Sequence, residues 1–200
     1  MRKINEIFYS IQGEGRYSGF PSVFVRFSGC NLACPFCDTD HHSGRLMEDE
    51  EIFAEVNSWP QAPRVILTGG EPAMHIDTDF IFSLKRATGK KVAIETNGTL
   101  VLPEGIDWIT VSPKEGICGT EGGALKITHA DELKVVDLGQ PLDGYFKLPC
   151  VGEKTLMYLQ PCYVEDIKQR ESNRMRTVRR VLDDPRWILS VQLHRFLGIL

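Results

Sequence analysis

The chain has 200 residues, 42% of them hydrophobic, with a formal net charge of −4. That is enough for a sizeable core, and the charge balance supplies no global basic field to draw in nucleic acid. No apolar run approaches the length of a membrane helix, and Met1-Arg2-Lys3-Ile4-Asn5 lacks a signal-peptide core. Six cysteines, three of them packed together, read as reduced thiols of a cytoplasmic protein rather than a secreted disulfide framework.

No internal repeat, low-complexity segment or linker divides the sequence, so one domain over residues 1–200 is expected. An extended start, Ile4 to Ile11, leads into Gln12-Gly13-Glu14-Gly15, whose glycines either let backbone approach a ligand or form a plain surface turn. The run Val23 to Ser28 alternates, with Val23, Val25 and Phe27 on one side and Phe24, Arg26 and Ser28 on the other. A guanidinium inside an apolar strand is costly unless paired. Arg26 therefore either faces solvent or awaits an anionic ligand such as a carboxylate, which its planar fork suits.

Immediately after that strand come Cys30, Cys34 and Cys37 at the spacing C-x3-C-x2-C. Iron–sulfur cubes are usually held by four thiolates, so three would leave one iron open, as a reactive metal centre requires. The same cysteines with His41 or His42 would equally form a closed Cys3His zinc knuckle. Phe36, before the last cysteine, is placed to pack on a flat ligand. Cys118, Cys150 and Cys162 are widely spaced and read as small core fillers.

Met47 to Trp59 reads as a helix, with Ile52, Phe53, Val56 and Trp59 on one face. The strand Arg64 to Leu67 ends in Thr68-Gly69-Gly70-Glu71-Pro72, and a second helix follows over Asp77 to Ala87. Val92 to Glu95 and Asp107 to Val111 are strands, ending in Thr96-Asn97-Gly98 and Ser112-Pro113-Lys114. Their separation is too short for a crossover helix. Leu133 to Val136 and Thr155 to Leu159 are further strands, the second ending in Gln160-Pro161. Glu165 to Leu182 makes a third helix, and Trp187 to Leu193 a final strand. Alternating strands and helices with polar motifs at strand C-termini fit an α/β incomplete TIM-like barrel of about six parallel strands and three helices. The alternation fits a doubly wound sheet equally well.

Together, the cysteine loop with its aromatic Phe36 and the Gly69-Gly70-Glu71-Pro72 motif resemble the radical S-adenosylmethionine (SAM) enzymes. The resemblance is closest to the 7-carboxy-7-deazaguanine synthases of the queuosine pathway. It is carried by Ile11 to Gly15, Pro21, Phe24 to Arg26, Gly29 to Leu32, Cys37 to Thr39 and Thr68 to Pro72. It continues through Glu95 to Thr99, Ser112 to Lys114, Gln160-Pro161 and the tail around His194. It implies a partial barrel in which Cys30, Cys34 and Cys37 hold a 4Fe-4S cluster. SAM would lie against Phe36, Cys37, Asp38, Gly70 and Glu71, then Ser112, Pro113 and Lys114, then Gln160, Pro161, Cys162 and Tyr163. The implied substrate is 6-carboxy-5,6,7,8-tetrahydropterin, contacted by Ile11, Gln12, Gly13, Arg26, Thr68 and Leu200, with Thr39 on a magnesium ion.

The same resemblance implies loss of ammonia and ring contraction to a deazapurine, an external reductant such as flavodoxin, and a homodimer. No protein acid or base is demanded. The tail departs from the family's closing segment, where proline is expected last rather than Leu200, and His194 either lines the pocket or is structural. A glycyl-radical activase is the alternative within the superfamily, and a non-catalytic zinc-knuckle module the alternative outside it. The third helix carries Lys168, Arg170, Arg174, Arg176, Arg179 and Arg180 among Glu165, Asp166, Glu171 and Asp183. That is a basic face a tRNA would use, or an ordinary solvated amphipathic helix, the expected reading.

Overall fold

A computed structural model describes residues 1–37, 39–114 and 123–199. Its elements in order are β1 (Arg2–Ile11), β2 (Pro21–Phe27), β3 (Arg45–Met47), α1 (Asp49–Asn57), β4 (Arg64–Gly69), α2 (Thr78–Thr88) and β5 (Lys91–Thr96). The second half adds β6 (Trp108–Val111), β7 (Glu132–Asp137), β8 (Leu156–Pro161), α3 (Ile167–Asp183), β9 (Ile188–Leu189) and α4 (Leu193–Leu197).

The strands form one nine-stranded sheet in the order β3-β1-β2-β4-β5-β6-β7-β8-β9. From β2 onward every neighbouring pair is parallel, whereas β1 runs antiparallel to β2 and β3 antiparallel to β1. A doubly wound sheet reverses its strand order at a switch point. From β1 to β9 this one ascends without reversal, with β3 added antiparallel outside β1, so the fold is a singly wound partial barrel whose edges, β3 and β9, stay apart. Parallel strands in this arrangement bring their C-terminal ends to one rim.

Apolar periodicity explains the layers. Val23, Val25 and Phe27 of β2 pack outward with Val65, Leu67, Val92 and Ile94 against Ile52, Phe53 and Val56 of α1 and Phe80, Ile81 and Leu84 of α2. The opposite parity, Phe24, Ile66 and Ala93 with Phe8 and Trp108, faces inward. A second outer cluster packs Val111, Leu133, Val135 and Leu159 with Trp187. Helix α1 starts with a capping box between Glu48 and Glu51, and α2 with the Asp77 side chain accepting from Phe80 N. Both devices satisfy amide donors that a helix start leaves open.

Three expectations change. Met47 ends the short strand β3 instead of starting α1. The strand expected over Trp187 to Leu193 is only the two-residue β9, followed by α4, because Leu193 N turns away to donate to Gly13 O at 2.9 Å. The basic face of α3 is partly internal. Arg176 and Arg180 reach the fully buried Asp137 at 3.4 and 2.5 Å, and Arg170 donates to the Val164 and Glu165 carbonyls.

Candidate functional site

Two adjoining cavities open at the strand C-termini. The first, of about 210 Å³, is lined by Cys30, Cys34, Phe36 and Cys37 from the β2 loop, Gly69 and Gly70 at the end of β4, and Thr96 and Asn97 at the end of β5. Ser112 and Lys114 after β6 and Gln160, Pro161, Cys162 and Tyr163 at the end of β8 join them. The second, of about 390 Å³, is lined by Glu6, Phe8, Ile11, Gln12, Gly13, Phe24, Arg26, Thr39, Thr68, His194 and Arg195 among others. Glu14, Thr39, Thr68, Glu95, Lys134 and Gln192 border both.

The cysteine loop is folded back by local bonds. Cys37 N donates to Cys34 O at 3.1 Å, and Gly29 N to His41 O at 2.8 Å. Asn31, inside the loop, bonds both Thr99 Oγ1 at 2.8 Å and Asn97 Nδ2 at 3.0 Å, tying the loop to the end of β5. A Cβ on Gly70 would overlap the Gly29 carbonyl oxygen, so only glycine lets the two loops meet. Among the described residues, no three His, Cys, Asp or Glu side chains converge on a point suited to one metal ion. The three thiols line the first cavity, and the separate irons of a cube each take one cysteine.

Most residues expected at the SAM site meet in the first cavity, with two exceptions. Glu71 is 0% exposed. Its carboxylate accepts from Asn97 N and Thr96 Oγ1 at 2.7 Å each and from Ala73 N at 3.0 Å. It lies behind the wall as a brace between the β4 and β5 loops, and burial pushes its carboxyl upward against those hydrogen bonds. Pro113 is likewise buried and absent from the lining. Lys114 sits on the wall, with Nζ bonded to Ser112 O at 3.0 Å and 5.8 Å from the centre of the Phe36 ring. Asp38 and Leu200 lie outside the described residues, as does Cys118. Of the other cysteines expected as fillers, Cys150 is buried in the outer core, whereas Cys162 lines the cavity.

The second cavity collects Ile11, Gln12, Gly13 and Arg26, with Thr39 and Thr68 on the shared border. His194 packs against Gly13 so closely that a Cβ there would strike its ring. Between the cavities lies a group that sequence reading did not single out. Lys134 Nζ is 2.6 Å from Glu14 Oε2 and 2.7 Å from Glu95 Oε2. Gln12 Nε2 donates to Glu95 Oε1 at 3.1 Å, and Gln160 and Gln192 donate to Glu14 Oε1 at 3.0 Å each. Burial alone would raise the Glu14 carboxyl, but the Lys134 ammonium and the Gln192 amide hold it at about 2. Burial would likewise lower Lys134, yet the surrounding carboxylates hold it well above the ordinary amine range. Glu132, two residues before Lys134 and therefore on the same side of β7, is pushed up to about 7 by burial and by the Glu95 charge. The available signal was a charged residue at inward parity in an apolar strand, as at Arg26.

Known proteins place this geometry. The family model for the Radical SAM superfamily matches residues 24–116, which holds the cysteine loop and the first three polar strand ends. A 7-carboxy-7-deazaguanine synthase from Bacteroides thetaiotaomicron is 52% identical over 199 residues, covering 100% of this chain and 99% of that protein. The chain belongs to the 7-carboxy-7-deazaguanine synthase family. A synthase of the same name from Nitratidesulfovibrio vulgaris is 40% identical over 223 residues, with 98% of both chains covered. The crystal structure of QueE from Escherichia coli superposes with a TM-score of 0.76 at 26% identity, covering 96% of this chain and 94% of that one. A member of this family is a radical SAM enzyme using a 4Fe-4S cluster and SAM, which sets aside both the glycyl-radical activase and the zinc-knuckle module. No helix of this family member is long and apolar enough, among the described residues, to cross a membrane.

Proposed function

We propose that the chain converts 6-carboxy-5,6,7,8-tetrahydropterin to 7-carboxy-7-deazaguanine with release of ammonia, as one radical SAM domain in the cytoplasm. The observation that carries this reading is the shared border between a three-cysteine cavity and a second cavity lined by Arg26 and Gln12. Bound in the first cavity, the cluster and SAM supply hydrogen-atom abstraction from a substrate carbon.

The chain's own residues then bind and orient. Cys30, Cys34 and Cys37 hold the cluster, while Gly70, Ser112, Lys114 and Gln160 to Tyr163 form the SAM wall, with Asp38 contributing from the same loop. Arg26 grips the substrate carboxylate through paired N–H donors. Ile11, Gln12, Gly13 and Thr68 border the ring, and Leu200 is assigned to the substrate by the family resemblance alone. Thr39 supplies an oxygen ligand to magnesium, a cation that keeps waters and takes few protein ligands. Glu71 braces the loops from behind. An external reductant such as flavodoxin supplies the electron, and the enzyme works as a homodimer.

The test is anaerobic reconstitution with iron and sulfide, followed by incubation with SAM, dithionite and the carboxypterin. Chromatography is expected to show the deazapurine with wild type and none with Cys34→Ala. Formation of 5′-deoxyadenosine without that product would leave the radical SAM assignment standing and remove the substrate.

A further inference from the structure

Glu6 and Arg26 are register partners across β1 and β2, and Arg26 Nε donates to Glu6 Oε1 at 2.7 Å. An irregularity in β1 makes that pairing possible. Ile4 packs into the outer core, Asn5 and Glu6 both border the second cavity, and Ile7 returns to the outer layer. The ladder slips by one residue between Ile4 and Glu6. In an unbroken antiparallel ladder, Ile4 opposite Phe27 would set Asn5 opposite Arg26 and turn Glu6 toward the helices. One inserted residue re-aims the carboxylate inward, as bulges beside binding sites do.

Fold stability does not account for this device. The Glu6 side chain is 41% exposed, and an ion pair that open contributes little. Its negative charge also borders the cavity proposed to receive a carboxylate. The geometry at the guanidinium gives it a purpose. Glu6 takes Nε alone, Arg26 Cζ lies 5.6 Å from the centre of the Phe8 ring, and Phe8 stacks on Phe24 at 4.9 Å. Among the described residues, neither Nη nitrogen of Arg26 donates to a protein acceptor. A guanidinium can meet a carboxylate side-on through Nε or end-on through its two Nη groups, and here the side-on edge is taken.

We propose that Glu6 is a positioning residue that blocks the side-on edge of Arg26 and fixes its two Nη groups as an end-on clamp for the substrate carboxylate. This rests on the assignment of Arg26 to that carboxylate.

The experiment compares Glu6→Ala, Glu6→Gln and Arg26→Ala in the reconstituted enzyme, with anaerobic titration of tetrahydropterin lacking the carboxylate as a second readout. Glu6→Ala is expected to raise KM for the carboxypterin about tenfold with kcat within about twofold, because the loss is in uniform binding. Its affinity for the uncarboxylated pterin stays that of wild type. In Glu6→Gln the amide oxygen still accepts from Nε, and KM returns to within about threefold of wild type. Equal weakening of both pterins by Glu6→Ala, no weakening of either, or a Gln variant as impaired as the Ala variant would each overturn the positioning role. If Arg26→Ala weakens both pterins equally, the assignment of Arg26 itself falls instead.

Discussion

Lys134 Nζ lies 2.6 Å from Glu14 Oε2, on the border between the two cavities. The ammonium also meets Glu95, so one cation holds together the Gln12–Gly15 turn, β5 and β7. Replacing Lys134 by Met leaves two carboxylates facing each other out of water. Breaking a buried pair in this way costs about 3–5 kcal/mol. Urea unfolding at neutral pH is expected to show that loss, and the Glu14→Gln/Lys134→Met double variant to recover part of it.

Two carboxylates of this cluster give opposite pH dependences. Glu132 is held at about 7 against an ordinary 4.5. Between those values the folded chain keeps a proton that the unfolded chain has released, so stability from this group falls as pH rises from about 4.5 to about 7. Glu14 is held at about 2 against 4.5, so its contribution is complete above 4.5 and lost as pH drops through about 2. Urea midpoints measured across the upper window should decline less steeply in Glu132→Gln than in wild type. An identical slope in both would remove Glu132 as its cause.

Gly70→Ala tests the contact between the two polar loops. The added Cβ would overlap the Gly29 carbonyl oxygen, immediately before the first cysteine. The cysteine loop must shift, and iron and sulfide retained per chain after reconstitution are expected to fall while far-UV circular dichroism stays unchanged. An alanine variant with a full complement of both would show that the loop tolerates displacement.

Asp137→Asn should weaken the SAM wall from a distance. The buried carboxylate accepts from Gly139 N at 2.9 Å and Thr177 Oγ1 at 2.8 Å, and it pairs with Arg176 and Arg180. Burial would raise its carboxyl, yet these donors hold it below the ordinary value. One turn before Thr177 on α3, Asn173 Nδ2 holds the Cys162 carbonyl at 3.0 Å. Loss of the charge is expected to cost roughly 3 kcal/mol in unfolding and to weaken SAM binding by equilibrium dialysis. Unchanged affinity would limit Asp137 to stability.

The strand ends bearing polar motifs were legible because each motif follows an apolar run that only a buried strand explains, as Val65-Ile66-Leu67 before Thr68 shows. The barrel came from the family resemblance and not from periodicity, which reports which face is buried and not which strand lies beside which; the ascending order bears it out. Glu71 was placed beside SAM by the family resemblance, and only the geometry reveals three internal donors. The slip in β1 was visible in principle. Ile4 falls on even parity while Ile7 and Tyr9 fall on odd, and all three pack on the same outer core. Lys134 had a comparable signal inside Leu133-Lys134-Val135. Its partners Glu14 and Glu95 lie in motifs visible in the sequence, but nothing there pairs them with Lys134.

The contact of Leu193 with Gly13 joins positions separated by nearly the whole length of the polypeptide. During synthesis, the thiol loop and the four strand ends through Tyr163 emerge well before the segment that carries His194. Gln192, in that same segment, borders both cavities, so neither is complete until the C-terminal residues dock, and long-range closures of this kind are the slow ones.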